Sequence, residues 1–170
     1  SDGELHELDI IVLATGFDCG ALLRPMQVRG RDGAELEALW AEHPKAYMAI
    51  SMPDFPNLFM LNGPNGPVGN FTLVDIAEHQ WGYIAQLLEK LRSGEATEIA
   101  PSRKAMEDFE SARAEAAKKT VWYRGGCNSW YLDAQGIPAS WPWTYSRFLE
   151  LMAAPDWSAF ELQGPAGSGI

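Results

Sequence analysis

The chain has little with which to hold a negatively charged polymer. Thirteen Lys and Arg residues face 23 Asp and Glu residues over 170 positions, a formal net charge of −10, so the field of the whole molecule repels phosphate backbones. No basic cluster stands against that trend, which argues against nucleic acid as a partner. Cysteine is as scarce. Cys19 and Cys127 are far apart and carry neither metal-ligand nor disulfide-framework spacing, the usage of a reducing cytoplasm, and both read as small buried hydrophobes. His6, His43 and His79 stand singly, without the paired Cys or acidic spacing of a metal site. No apolar run is long enough to span a bilayer and no signal-peptide pattern is present, so the expectation is a cytoplasmic protein with no membrane partner. Dinucleotide G-x-G-x-x-G, the Walker glycine loop with its Lys, and the G-x-S-x-G elbow are also lacking. Without a self-sufficient catalytic set, no catalytic residue is assigned in this chain.

What the chain does have is two strand-to-glycine turns. Asn57 to Leu61 reads as a short apolar strand running into Asn62-Gly63-Pro64-Asn65-Gly66-Pro67-Val68-Gly69, with a long amphipathic segment behind it. Strand, glycine loop and helix N-terminus in that order predict a fan of unpaired backbone N–H groups beside a crevice, a ligand site made of backbone. Asp9 to Asp18 repeats the pattern around Ala14, Thr15 and Gly16. Each turn alone has a structural explanation, since a strand can end in Gly for conformational freedom. Two in one α/β unit point to an extended cofactor lying across several strand ends. The run Ile10 to Ala14 is apolar without alternation, as in a parallel strand covered on both faces. Only Ala46 to Ser51 and Asn57 to Leu61 also read as confident strands, so the neighbours of that strand are expected in a preceding part of a longer protein.

The rest is mostly helix and turn. Thr72 to Leu91 is the best helix, with Thr72 and Asp75 resembling a capping box, a stripe through Leu73, Ile76, Ile84, Leu87 and Leu91, and Gly94 as the stop. Arg103 to Lys119 is a second, capped by Ser102; its face of Met106, Phe109 and Ala116 is thin, which predicts a surface position. Leu36 to Glu42 reads as one or two helical turns and Trp143 to Met152 as a last helix. The tail from 163 to 170 is expected to be flexible. Trp130, after Gly126-Cys127-Asn128-Ser129, is either core or a half-exposed indole whose N–H meets a ligand.

In order along the chain, the segments Asp9-Ile10-Ile11-Val12-Leu13-Ala14-Thr15-Gly16-Phe17-Asp18, Pro44-Lys45-Ala46-Tyr47, Phe55-Pro56-Asn57-Leu58-Phe59, Gly63-Pro64-Asn65-Gly66-Pro67, Glu78-His79-Gln80, Val121-Trp122, Gly126-Cys127-Asn128-Ser129-Trp130-Tyr131 and Trp141-Pro142 resemble the C-terminal part of flavin-dependent monooxygenases of the Baeyer–Villiger type, within the wider flavin-containing monooxygenase group. The resemblance runs from Asp9 to about Leu162. It implies an α/β fold, the C-terminal part of a flavoprotein with two Rossmann-type dinucleotide-binding domains, here with few strands and several helices. Residues 1–162 would form the C-terminal portion of the FAD domain, with 9–17 crossing over from the NADP domain. Implied cofactors are FAD and NADP, and the implied reaction inserts an oxygen atom beside a ketone carbonyl, or oxidises a heteroatom in a related enzyme. Ala14, Thr15 and Gly16 would lie at the domain crossover, Gly63, Pro64, Asn65, Gly66 and Pro67 would approach the flavin, and Trp130 would meet the nicotinamide nucleotide. The family's glycine fingerprints and its supporting arginine have no counterpart in this chain, which implies that the fragment alone is inactive. Its partners would be the preceding part of the same enzyme, a small-molecule substrate, and a second copy of itself. A reading of a different class is a non-catalytic module that self-associates or binds a ligand.

Overall fold

The computed structural model describes residues 3–16, 21–126 and 131–164; the expectations for Cys19, Cys127, Trp130 and the end of the tail fall outside these. Its elements are α1 (Leu36–Leu39), α2 (Leu73–Arg92), β1 (Glu98–Pro101), α3 (Arg103–Ala117), α4 (Val121–Arg124), α5 (Tyr145–Met152) and β2 (Phe160–Gln163), with 3-10 turns at Arg31–Gly33 and Trp157–Ala159. Helices plus a small sheet make an α/β fold. The sheet has two antiparallel strands, with Glu98 opposite Gln163 and Pro101 opposite Phe160, so β2 reaches one residue into the expected tail.

α2 forms where its apolar stripe predicts it, burying Ile76, Tyr83, Ile84 and Leu87 together with Gln80. The expected capping box does not form. The Thr72 side chain caps nothing, and the Asp75 carboxylate that would reach back to it accepts a hydrogen bond from the Tyr145 hydroxyl of α5. Ser102 does cap α3, accepting from the Ala105 N–H at 3.1 Å, and Thr144 caps α5 through the Arg147 N–H. α3 is less superficial than its thin apolar face implies, because Arg113 joins Met106 and Ala117 on the buried side.

The middle of the core is irregular chain. Residues 46–52 are buried throughout, yet the expected strand Ala46 to Ser51 is a tight loop, closed by Tyr47 and Ser51 and carrying Met48 and Ala49 at φ 56° and 61°. Asn57 to Leu61 touches it only through the Ser51–Phe59 bridge. Asn57 adopts φ 61° and uses its side chain as a strand edge, accepting from the Ile99 N–H at 3.0 Å and donating to the Thr97 carbonyl at 3.0 Å. These apolar runs reflect burial, which both strands and folded loops require. Around the loop, Trp141, Phe148 and Met152 close the core with α2 and α3.

Ile10 to Ala14 is not a strand here. The segment 3–16 is an exposed arm, with Ile10 79 % and Val12 81 % exposed. Ladder hydrogen bonds need a neighbour, and among the described residues none lies alongside.

Candidate functional site

Four separate pieces of chain wall a cleft of ≈ 370 Å³: Leu22, His43 and its neighbours, the loop 62–68, and the hairpin 131–139. The loop is pinned from below. Asn62 N–H donates to Gln80 Oε1 at 2.7 Å, Gly63 N–H to the Ala49 carbonyl at 3.1 Å, and the Gly66 carbonyl accepts from Trp141 N–H at 3.1 Å. A Cβ at Gly63 would sit 2.4 Å from the Ala49 oxygen, so only glycine allows this approach.

The expected fan of free N–H groups is not what the loop presents. Gly66, Val68 and Asn70 N–H groups bond to carbonyls within the loop, at Gly63, Gly66 and Pro67, and Pro64 and Pro67 have none. The succession of tight turns consumes most of the donors. The loop also carries an unpaired side chain. Asn65 is 5 % exposed and lines the cleft, and both atoms of its amide are buried without a hydrogen-bond partner. An unpaired buried amide costs about 1–3 kcal/mol, and its φ of 63° suits Asn in the left-handed region.

Along one wall of the cleft runs a partly buried ionic chain. Arg113, its side chain 1 % exposed, grips Glu110 with two donors at 2.9 and 2.6 Å and donates to the Pro138 carbonyl at 2.6 Å. His43 Nε2 lies 3.1 Å from Glu110 Oε1, and His43 Nδ1 lies 3.3 Å from Asp133 Oδ2, the latter close but without hydrogen-bond alignment. Burial pushes the Glu110 carboxyl up, but hydrogen bonds from Arg113 and His43 outweigh it and hold the group down at about 2. The other Asp133 oxygen accepts the Gln135 and Ile137 N–H groups at 2.9 and 2.8 Å, which shapes the hairpin tip.

Of the residues singled out from sequence, Gly63, Pro64 and Asn65 line the cleft, while Gly66 and Pro67 are buried behind it. Ala14, Thr15 and Gly16 are on the exposed arm and do not line it. A Cβ at Gly16 would meet nothing within 4 Å. Trp130 lies outside the described residues. Sequence reading missed His43, Glu110, Arg113 and Asp133. Among the described residues no group of three metal-ligating side chains occurs, and no helix is long and apolar enough to cross a membrane.

No protein-family model matches the chain. An uncharacterized monooxygenase of Mycobacterium tuberculosis is 44 % identical over 152 residues, covering 89 % of this chain and 30 % of that protein. A Baeyer–Villiger monooxygenase of Streptomyces coelicolor is 33 % identical over 172 residues, covering 100 % of this chain and 33 % of the relative. Among solved structures, cyclohexanone monooxygenase from Rhodococcus sp. Phi1 bound to NADP+ superposes with a TM-score of 0.76 at 30 % identity, over 96 % of this chain and 32 % of that one. The chain spans about a third of the length of the proteins it matches, and in sequence and fold it is similar to that portion of Baeyer–Villiger-type flavin monooxygenases.

Proposed function

We propose that this chain is the C-terminal part of an FAD- and NADPH-dependent monooxygenase that oxygenates a ketone beside its carbonyl, and that the loop 62–68 holds part of the flavin. In this reading residues 1–162 complete the FAD domain, and Ala14, Thr15 and Gly16 turn at the crossover once the preceding part of the enzyme pairs with the arm. The carrying observation is Asn65: a buried amide with two donors and an acceptor unmet suits the alternating donors and acceptors on the edge of a flavin ring. The similarity to Baeyer–Villiger monooxygenases and to an NADP+-bound cyclohexanone monooxygenase supports the same assignment.

When bound, a reduced flavin supplies the electrons that activate oxygen. This chain's residues bind and orient. Gly63 and Gly66 let the loop lie flat on the Ala49 turn, Asn65 would hold the flavin through its amide, and Trp130 would hold the nicotinamide nucleotide. Hairpin 131–139 walls the cleft against water.

Replacing Asn65 by Gly in the full-length enzyme keeps the left-handed backbone and removes the amide. Flavin affinity should fall roughly tenfold, the worth of one or two ordinary hydrogen bonds, while the melting temperature of the apoprotein stays level or rises as an unpaired buried group is lost. Flavin retention equal to wild type in an equilibrium titration would refute the assignment.

The isolated 170-residue chain is expected to lack NADPH oxidation and to self-associate. Ile10, Ile11, Val12 and Leu13 are each at least 72 % exposed, an unpaired apolar edge of the kind that recruits a second strand. Sedimentation at micromolar concentration should show dimers or larger species, and Ile10→Lys with Val12→Lys should return the chain to monomer. A wild-type monomer would count against it.

A further inference from the structure

We propose that His43 is a positioning residue, a partly buried bridge between Glu110 of α3 and Asp133 of the hairpin that holds residues 131–139 in place as a wall of the cleft and thereby sets affinity for the nicotinamide nucleotide. The proposal rests on the flavin monooxygenase reading above.

At its tip the hairpin meets the His43 segment through Asp133. Its own ladder closes it internally, through Asp133 N–H to the Ile137 carbonyl at 2.9 Å and Ala139 N–H to the Tyr131 carbonyl at 2.7 Å. To the body of the protein it is joined at its start by Tyr131, whose ring packs on Trp122 of α4 at 4.8 Å, at its far end by Arg113, which reaches the Pro138 carbonyl, and at its tip by His43. Arg113 and His43 approach from different elements and share one carboxylate, Glu110, so hairpin, α3 and the His43 segment form one unit. Asp133 divides its oxygens: Oδ1 takes the two N–H groups of its own turn, and Oδ2 faces His43 at 3.3 Å. One imidazole therefore stands between two carboxylates, hydrogen-bonded to Glu110 through Nε2 and packed against Asp133 through Nδ1.

His43 also lines the cleft, so its contacts and the ligand's surroundings are physically continuous. The hairpin starts at Tyr131, next to Trp130. If the bridge is cut, the hairpin must be re-ordered each time ligand binds, and apparent affinity drops by the fraction of time the wall is in place. A wall correctly placed one-tenth of the time gives about a tenfold loss.

His43→Gln retains a donor for Glu110 but offers nothing to Asp133. Asp133→Asn retains the Oδ1 acceptor of the turn and removes the charge facing His43. In the full-length enzyme each should raise KM for NADPH about tenfold, with kcat/KM falling chiefly through KM and flavin content near wild type. The double variant should be no worse than the worse single one, because both cut one link. In the 170-residue chain both should raise cleavage by a broad-specificity protease within 131–139 about tenfold over sites in α2. Unchanged KM, unchanged hairpin cleavage, or parallel loss of flavin, melting temperature and KM would each overturn the proposal. A wild-type enzyme that neither takes up flavin nor consumes NADPH would instead refute the functional reading, and cleavage within 131–139 would then decide by itself whether the bridge holds the hairpin.

Discussion

Arg113→Met should destabilise the chain by about 3–5 kcal/mol at neutral pH, the cost of breaking a buried ion pair from one side. The guanidinium is enclosed, with Glu110 on one edge and the Pro138 carbonyl on the other, and methionine fills the volume while satisfying neither. The loss should depend on pH with a definite sign. Glu110 is held down at about 2 in the folded protein, against about 4.3 for an unperturbed glutamate. Its stabilising contribution is therefore fully present above about pH 4.3 and is lost as pH falls toward 2. Taken at face value the shift is worth about 3 kcal/mol, and it is the ionised carboxylate that Arg113→Met strands. Urea titrations at pH 7 and pH 3 should show a gap between wild type and variant that narrows in acid. The double variant Arg113→Met with Glu110→Leu should recover much of the loss, since a buried pair replaced whole by apolar side chains is often neutral. A gap below about 1 kcal/mol, or one equal at both pH values, would show that the pair does not hold α3 to the hairpin.

What could be seen of this arrangement in advance was whatever is local. α2 and α3 follow from periodicity, and Ser102 and the Gly94 stop follow from helix-end chemistry confined to three or four residues. The sheet could not be read the same way: β1 and β2 have four residues each, and Ile99 pairs with Leu162, a partner that only the tertiary fold supplies. The strand expected at Ala46 to Ser51 failed for a related reason, because the left-handed backbone at Met48 and Ala49 is imposed by packing and has no Gly or Asn to announce it. In the cleft, Gly63, Pro64 and Asn65 were legible since glycine and proline density marks a loop. The ionic chain was hidden, its members running from His43 to Asp133. One signal did exist. Glu110 and Arg113 fall at helical spacing on the face of Met106 and Ala117, which the fold buries, so an arginine on an apolar stripe pointed to a buried pair.

Gly63→Ala and Gly82→Ala make the same chemical change with opposite expected results, and together they separate packing of the loop from the general cost of glycine. At Gly82, within α2, an added Cβ meets nothing within 4 Å, and alanine should stabilise the helix by about 0.5–1 kcal/mol. At Gly63 the Cβ would lie 2.4 Å from the Ala49 carbonyl oxygen and 3.1 Å from its carbon. Both are backbone atoms, and that same oxygen accepts the Gly63 N–H, so no side-chain rotation can relieve the clash. Ala49 is itself at φ 61°, inside a fully buried turn, and has little room to withdraw. The loop must lift instead. Overpacking of this kind costs about 1–3 kcal/mol, and lifting also removes Asn65 from its place at the cleft. Gly63→Ala should therefore lower the melting temperature and abolish flavin retention in the full-length enzyme, while Gly82→Ala raises the first and leaves the second unchanged. Normal flavin binding by Gly63→Ala would mean that the seat of the loop on the Ala49 turn is a matter of packing alone, and that the cofactor is held elsewhere.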